Sequence, residues 1–198
     1  MSELSDLLLK DFEAFDERLT SAANQAFKFQ GLDERYLIIS AASFIEAILA
    51  EAASRLFDLH VSPNFFDLGV LAVNGKTLGV KKNGEVEFRD LRLDNKTKFK
   101  AIARAYSIFD VTYAADFNSE GWEHVLHTTE TRNRLLHPKK PEDLELIVDD
   151  LVRANKAVTW IYARKIEWMK IKINVLDQAV QNRNALVRLF YSSDEDPL

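Results

Sequence analysis

The 198-residue sequence contains no cysteine. That excludes disulfides, thiolate nucleophiles and cysteine-ligated zinc, and it fits a reducing cytoplasm, where we expect the protein to reside. Glycine and proline are scarce, with six and four residues. Four of the six glycines fall between 62 and 94. No Gly-rich phosphate loop, serine nucleophile elbow or helix-turn-helix signature can be read from them or their surroundings. Positive charge is also in deficit: the formal net charge is -5 and the isoelectric point near 5.5. There is no global pull toward nucleic acid, so any RNA contact has to come from a local patch. The N-terminal "MSELSDLLLKDFEAFDERL" lacks the basic start and apolar block of a signal peptide. The most apolar run, "YLIISAASFIEAILAEAASRLF", carries Glu46 and Glu51. It predicts a buried or dimer-facing helix and no membrane span.

What the chain does have is helical periodicity. Leu4, Leu7, Leu8, Phe12, Phe15, Leu19, Ala22 and Ala26 recur at helical spacing and predict a helix over 3–28. After "QGLDE" a second helix is expected to about Leu59, with Asp33 as its cap and small residues (Ser40, Ala41, Ala42, Ser43, Ala47, Ala50) for close packing. The texture changes at Ser62-Pro63. Asn74-Gly75 and Asn83-Gly84 are type I′ turn signals between β-prone runs, so 62–94 reads as a two- or three-stranded insertion too small to be a domain. Helices follow over roughly 95–110 and from Ser119 to about His137, where Pro138 pushes the preceding residue out of the α region. From 142 to 191 there is neither glycine nor proline. This predicts one very long helix or two in series, with Glu142 and Asp143 at the N-terminal dipole end. The chain thus reads as a single all-α bundle of about five helices over 1–191, with a β-hairpin insertion at 62–94 and a disordered tail at 192–198.

The helix end "TRNRLLHPKK" concentrates polar chemistry. Arg132 and His137 are five residues apart, about 140° around an ideal helix. Because Pro138 stops the helix at His137, the imidazole is free to turn toward Arg132. A neutral imidazole can take a proton from a ribose 2′-hydroxyl or return one to a leaving oxygen. A guanidinium can hold a phosphoryl oxygen and stabilise developing charge. Asn133 can orient either group. Each residue alone is also what a helix C-terminus favours for its dipole and carbonyls.

This stretch, "ETRNRLLHPKK", resembles the signature of the HEPN superfamily: an arginine, a polar residue, then a histidine near a helix end. The run containing Glu46 resembles the second helix of some HEPN families, in which a glutamate sits among small and apolar residues. The resemblance implies an all-α bundle and, for many members, metal-independent endoribonuclease activity in toxin–antitoxin, abortive-infection or CRISPR-associated systems. Arg132, Asn133 and His137 would be catalytic and Glu46 supporting. No cofactor or metal is implied. The partners implied are an RNA substrate, a second copy in a homodimer, and an antitoxin or defence-system protein. Two departures stand out. The 62–94 insertion is foreign to the minimal bundle. Lys139 also occupies the place of a tyrosine, two positions after the histidine, that partner nucleotidyltransferases modify in some of these toxins. Other members only bind a protein partner or a nucleotide, and that is the alternative reading.

Three further features compete for a role. His124 and His127, beside Glu123, have the spacing of a partial metal site without a third ligand. Glu46, an acid in an apolar helix, needs a partner; Arg132 is one candidate, a different arginine or a tyrosine hydroxyl another. Residues 153–188 carry eight positive charges against two negative, interleaved with Trp160, Tyr162 and Trp168. They read either as an RNA path or as a solvated face with aromatics in the core. Arg134, Lys139, Lys140, Arg164 and Lys165 are the expected RNA contacts.

Overall fold

The computed structural model describes the backbone of residues 32–59 and 68–192, and the side chains of 33–56, 59 and 69–184. The helix expected over 3–28 and the tail after Ser192 lie outside the described residues. The fold is mostly helical with one small antiparallel sheet. In chain order it comprises α1 (Leu32–Asp58), α2 (Leu68–Val73), β1 (Lys76–Val80), β2 (Val86–Asp90), α3 (Asn95–Phe109), α4 (Glu120–Leu136), a 3-10 turn (Pro141–Leu144) and α5 (Val148–Ser192).

Helix α1 is the centre of the bundle and lies against α3, α4 and α5. Ile38, Phe44, Ile45, Ile48, Leu49 and Leu56 are fully buried, and Ala41, Ala42, Ala52 and Ala53 let the neighbouring helices approach closely. By length and composition Asp33–Leu56 is apolar enough to cross a membrane; in this fold more than half of that window is buried within the bundle. Asp33 does not cap α1. It sits inside the first turn, where its charge complements the helix dipole.

An aromatic cluster joins α3, α4 and α5. Phe99 is in ring contact with Phe117, Trp122, Trp160 and Trp168 at centroid distances of 4.8–5.6 Å. Tyr106 stacks on Trp168 at 5.4 Å, and the Trp168 indole donates to Tyr113 Oη over 2.7 Å. Burial pushes the Tyr113 hydroxyl up to about 12, against a smaller lowering by the Trp168 hydrogen bond. Of the two readings of the aromatics in 153–188, the core reading holds for Trp168, which is buried, and for Trp160 and Tyr162, which pack against the core.

The 62–94 segment contains a short helix, α2, that the turn signals do not predict, and two strands. Asn74-Gly75 is no hairpin turn: it ends α2, with Gly75 at φ +75°. At the hairpin, Gly84 N–H donates to the Lys81 carbonyl and Lys81 N–H to the Glu85 carbonyl. Only Gly84 has a positive φ there, so Lys82-Asn83 form a type I turn followed by a glycine bulge; a type I′ turn would need positive φ at both central residues. The strands pair in the register Leu78↔Phe88 and Val80↔Val86, with all four side chains exposed on one face.

Helix α5 is a single helix of 45 residues, about 67 Å long at 1.5 Å per residue. Its first turn carries Asp149 and Asp150; Glu142 and Asp143, expected there, belong to the preceding 3-10 turn. Asp150 Oδ2 accepts from Ile147 N–H and closes the helix start. Beyond Ile171 no described residue is buried, and Ile173, Leu176 and Val180 face solvent.

Candidate functional site

Helix α4 begins at Ser119, whose side chain accepts from Trp122 N–H, and ends at His137. His137 leaves helical geometry (φ -129°, ψ 55°) while its main-chain N–H still donates to the Asn133 carbonyl at 3.0 Å. The cap is therefore made by the His137 backbone. Its side chain is exposed, and no hydrogen bond from the described residues reaches the imidazole.

One turn back, Arg132 is held in place. Its Nη1 donates to Asn133 Oδ1 at 3.1 Å and lies 3.6 Å from Glu46 Oε1 on α1. Its Nε is buried without a hydrogen-bond partner among the described residues. Glu46 Oε1 also accepts from Asn95 Nδ2 on α3 at 3.0 Å. Of the partners considered for Glu46, arginine 132 is the one it meets. The pair is not deeply buried, with side chains 26% and 38% exposed, so its contribution to stability is about 0.5–1 kcal/mol. Three helices thus converge on the Glu46 carboxylate, and Asn95 is a member that sequence reasoning missed. The signal available was an asparagine opening a helix behind the Asp94 cap, which reads as local capping chemistry.

The residues expected to contact RNA separate into two groups. Lys139 and Lys140 are exposed just beyond His137. Their backbone N–H groups donate to Asp143 Oδ2 at 2.8 and 3.2 Å, and these bonds, the Lys139 one foremost, hold the Asp143 carboxyl below its ordinary value. The others are engaged. Arg134 donates to the carbonyls of Asp143 (3.3 Å) and Glu145 (2.8 Å) and lies 3.6 Å from Asp150. It ties the end of α4 to the connection into α5. Arg164 pairs with Glu167 at 2.9 Å and covers the Trp160 ring. Lys165, expected to contact RNA, is instead 5% exposed, with its ammonium 3.0 Å from Glu51 Oε2, and it faces the core. Glu51 also meets Arg55, and these side chains line a void of about 10 Å³, near the size of one water molecule, with Tyr106 and Trp168. A lysine on a long amphipathic helix gives no sequence sign of which side it occupies.

His124 and His127 do not share a ligand. His124 is buried with Nε2 3.1 Å from Glu120, while His127 Nε2 lies 2.7 Å from the buried Asp150. Among the described residues no three His, Asp or Glu side chains gather within reach of one metal ion. The His127–Asp150–Arg134 network is instead what anchors the start of α5 beside the end of α4.

The arrangement therefore offers an exposed imidazole, an arginine positioned by a carboxylate, an adjacent amide and two exposed lysines at one helix end. Comparison with protein-family models, with curated proteins and with solved structures finds no match for this chain.

Proposed function

We propose that the protein is a metal-independent endoribonuclease of HEPN type, acting as a homodimer in a toxin–antitoxin or antiphage system of the cytoplasm. The observation that carries this reading is the His137 imidazole, exposed and without a hydrogen-bond partner among the described residues, one turn beyond an arginine that Glu46 holds in position. A structural histidine is normally bonded, as His124 and His127 are here. In the reaction, an imidazole nitrogen takes the proton of a ribose 2′-hydroxyl. The 2′-oxygen bonds to phosphorus, the bond from phosphorus to the 5′-oxygen breaks, and that oxygen leaves with a proton. The products are a 2′,3′-cyclic phosphate and a 5′-hydroxyl. Arg132 balances the charge on the non-bridging oxygens, and Lys139 and Lys140 contact flanking phosphates. A second copy across a two-fold axis supplies the histidine that acts as acid. The apolar side chains Ile173, Leu176 and Val180, exposed on α5 beyond Ile171, are material for that contact.

The second reading is a binding scaffold without catalysis. It is favoured by the Arg132 contacts themselves, since Nη1 is already shared between Glu46 and Asn133. Purified protein is incubated with total RNA in chelator beside Arg132→Ala and His137→Ala variants. The nuclease reading expects cleavage ending in cyclic phosphate, lost in both variants. His137→Ala should melt within about 2 °C of the parent, because an exposed side chain with no partner is worth about 0.5 kcal/mol or less. Cleavage that needs added divalent metal, or that persists in His137→Ala, overturns this reading. Active-site mixing of the two variants then tests the composite dimer, which should regain activity only if one copy supplies what the other lacks.

A further inference from the structure

The charge around Glu46 does not balance. Helix α3 sends Asn95 to the Glu46 carboxylate at 3.0 Å, and Lys98 follows three residues later on the same helix face. Lys98 is partly buried, and no hydrogen bond or ion pair within the described residues reaches its ammonium. Burial holds that ammonium below its ordinary range, and Glu46 draws it partly back. Arg132 approaches the same carboxylate at 3.6 Å, also partly buried and with Nε lacking a partner. A structural ion pair needs one cation for one carboxylate. Here two cations share one acid, and the second is desolvated without a direct bond. Such a surplus is costly in the free protein and is relieved when an oxyanion arrives.

Resting on the ribonuclease reading, we propose that Lys98 is a further phosphate contact of the same site, contributed by α3, so that α3 and α4 grip neighbouring phosphates of one single-stranded RNA. Glu46 and Asn95 act as positioning residues: the carboxylate holds the guanidinium and draws the ammonium toward it, and the Asn95 amide fixes the carboxylate. This separates substrate grip from chemistry. Lys98 holds the strand, while the proton moves at His137.

The test uses the full chain and a fluorescein-labelled single-stranded oligoribonucleotide carrying 2′-O-methyl groups throughout, which binds but cannot be cleaved. Anisotropy is followed across a salt series for the parent, Lys98→Gln, Lys98→Arg and Arg132→Gln, with melting curves for each. Lys98→Gln should raise Kd about fivefold and flatten the slope of log K against log salt by about 0.7, the release of one counterion from a single strand. Lys98→Arg should keep the parental slope. The melting temperature of Lys98→Gln should not fall, since an unpaired, partly buried cation has been neutralised, so a purely structural role predicts the opposite pattern. If the parent binds and Lys98→Gln keeps its slope, Lys98 is not a phosphate contact and the ribonuclease reading stands. Should binding depend on Lys98 while unmodified RNA stays uncut, the phosphate site stands and the ribonuclease reading falls. No binding by the parent overturns both.

Discussion

Gly121→Ala tests the clamp that holds α4, and so Arg132, against α5. Gly121 lies in the first turn of α4, under the indole of Trp160. A Cβ added there would sit 2.0 Å from Trp160 Cδ1 and 2.4 Å from Cγ, far inside contact distance. These are atoms of a rigid ring packed against Phe99 at 5.4 Å and Trp122 at 6.1 Å, with Arg164 over it. The ring has to leave. Aromatic pairs contribute about 0.5–1.5 kcal/mol each and the cation–π contact about 0.5–1 kcal/mol. Alanine recovers up to about 1 kcal/mol of helix propensity. The net loss is about 0.5–3 kcal/mol, which for a chain of this size lowers Tm by roughly 1–12 °C. Circular dichroism melting measures the loss, and tryptophan emission should shift to the red as one indole reaches water. A double-mutant cycle isolates the cause: in a Trp160→Ala background the same glycine replacement should be neutral or stabilising. An unchanged or raised Tm for Gly121→Ala, with parental emission, would refute the argument.

Lys165→Ala removes a buried cation from Glu51 but leaves Arg55 beside it, so the cost should be about 2–3 kcal/mol, short of the full cost of breaking an isolated buried pair. Urea unfolding measures it, and a midpoint equal to the parent's would show that Lys165 is not held in the core. Tyr113 titrates near 12 in the fold against an ordinary value of 10.0 because burial disfavours its phenolate. A raised pKa means that the folded state keeps its proton longer, so this stabilisation is intact below pH 10 and declines as pH rises from 10 toward 12. Tyr113→Phe should flatten the fall in stability over that range, and an identical alkaline profile in both proteins would contradict the assignment.

Helix positions were readable from local chemistry. Both ends of α4 follow from Ser119 and Pro138, because caps and proline act within a few residues of chain. The hairpin was readable as a hairpin, but its turn type was not: Asn-Gly permits type I′, and the observed register places only Gly84 at positive φ. The glycine-free, proline-free run after Pro141 allowed either one helix or two, and it is one, Val148–Ser192. The polar trio of the site lies within six residues, so Arg132, Asn133 and His137 could be singled out from sequence. What tertiary structure alone decided is what stands around them. Asn95 and Lys98 come from a helix some 35 residues away, and Glu46 from one farther still. Only the crossing of three helices brings them together. The same holds for charge. The lysines and arginines of 153–188 look alike in the sequence, yet the azimuth of each on α5 sends Lys165 into the core, lays Arg164 over Trp160 and leaves Lys170 in solvent. Composition sets how many cations a helix carries; the faces its neighbours cover determine which of them can meet a phosphate.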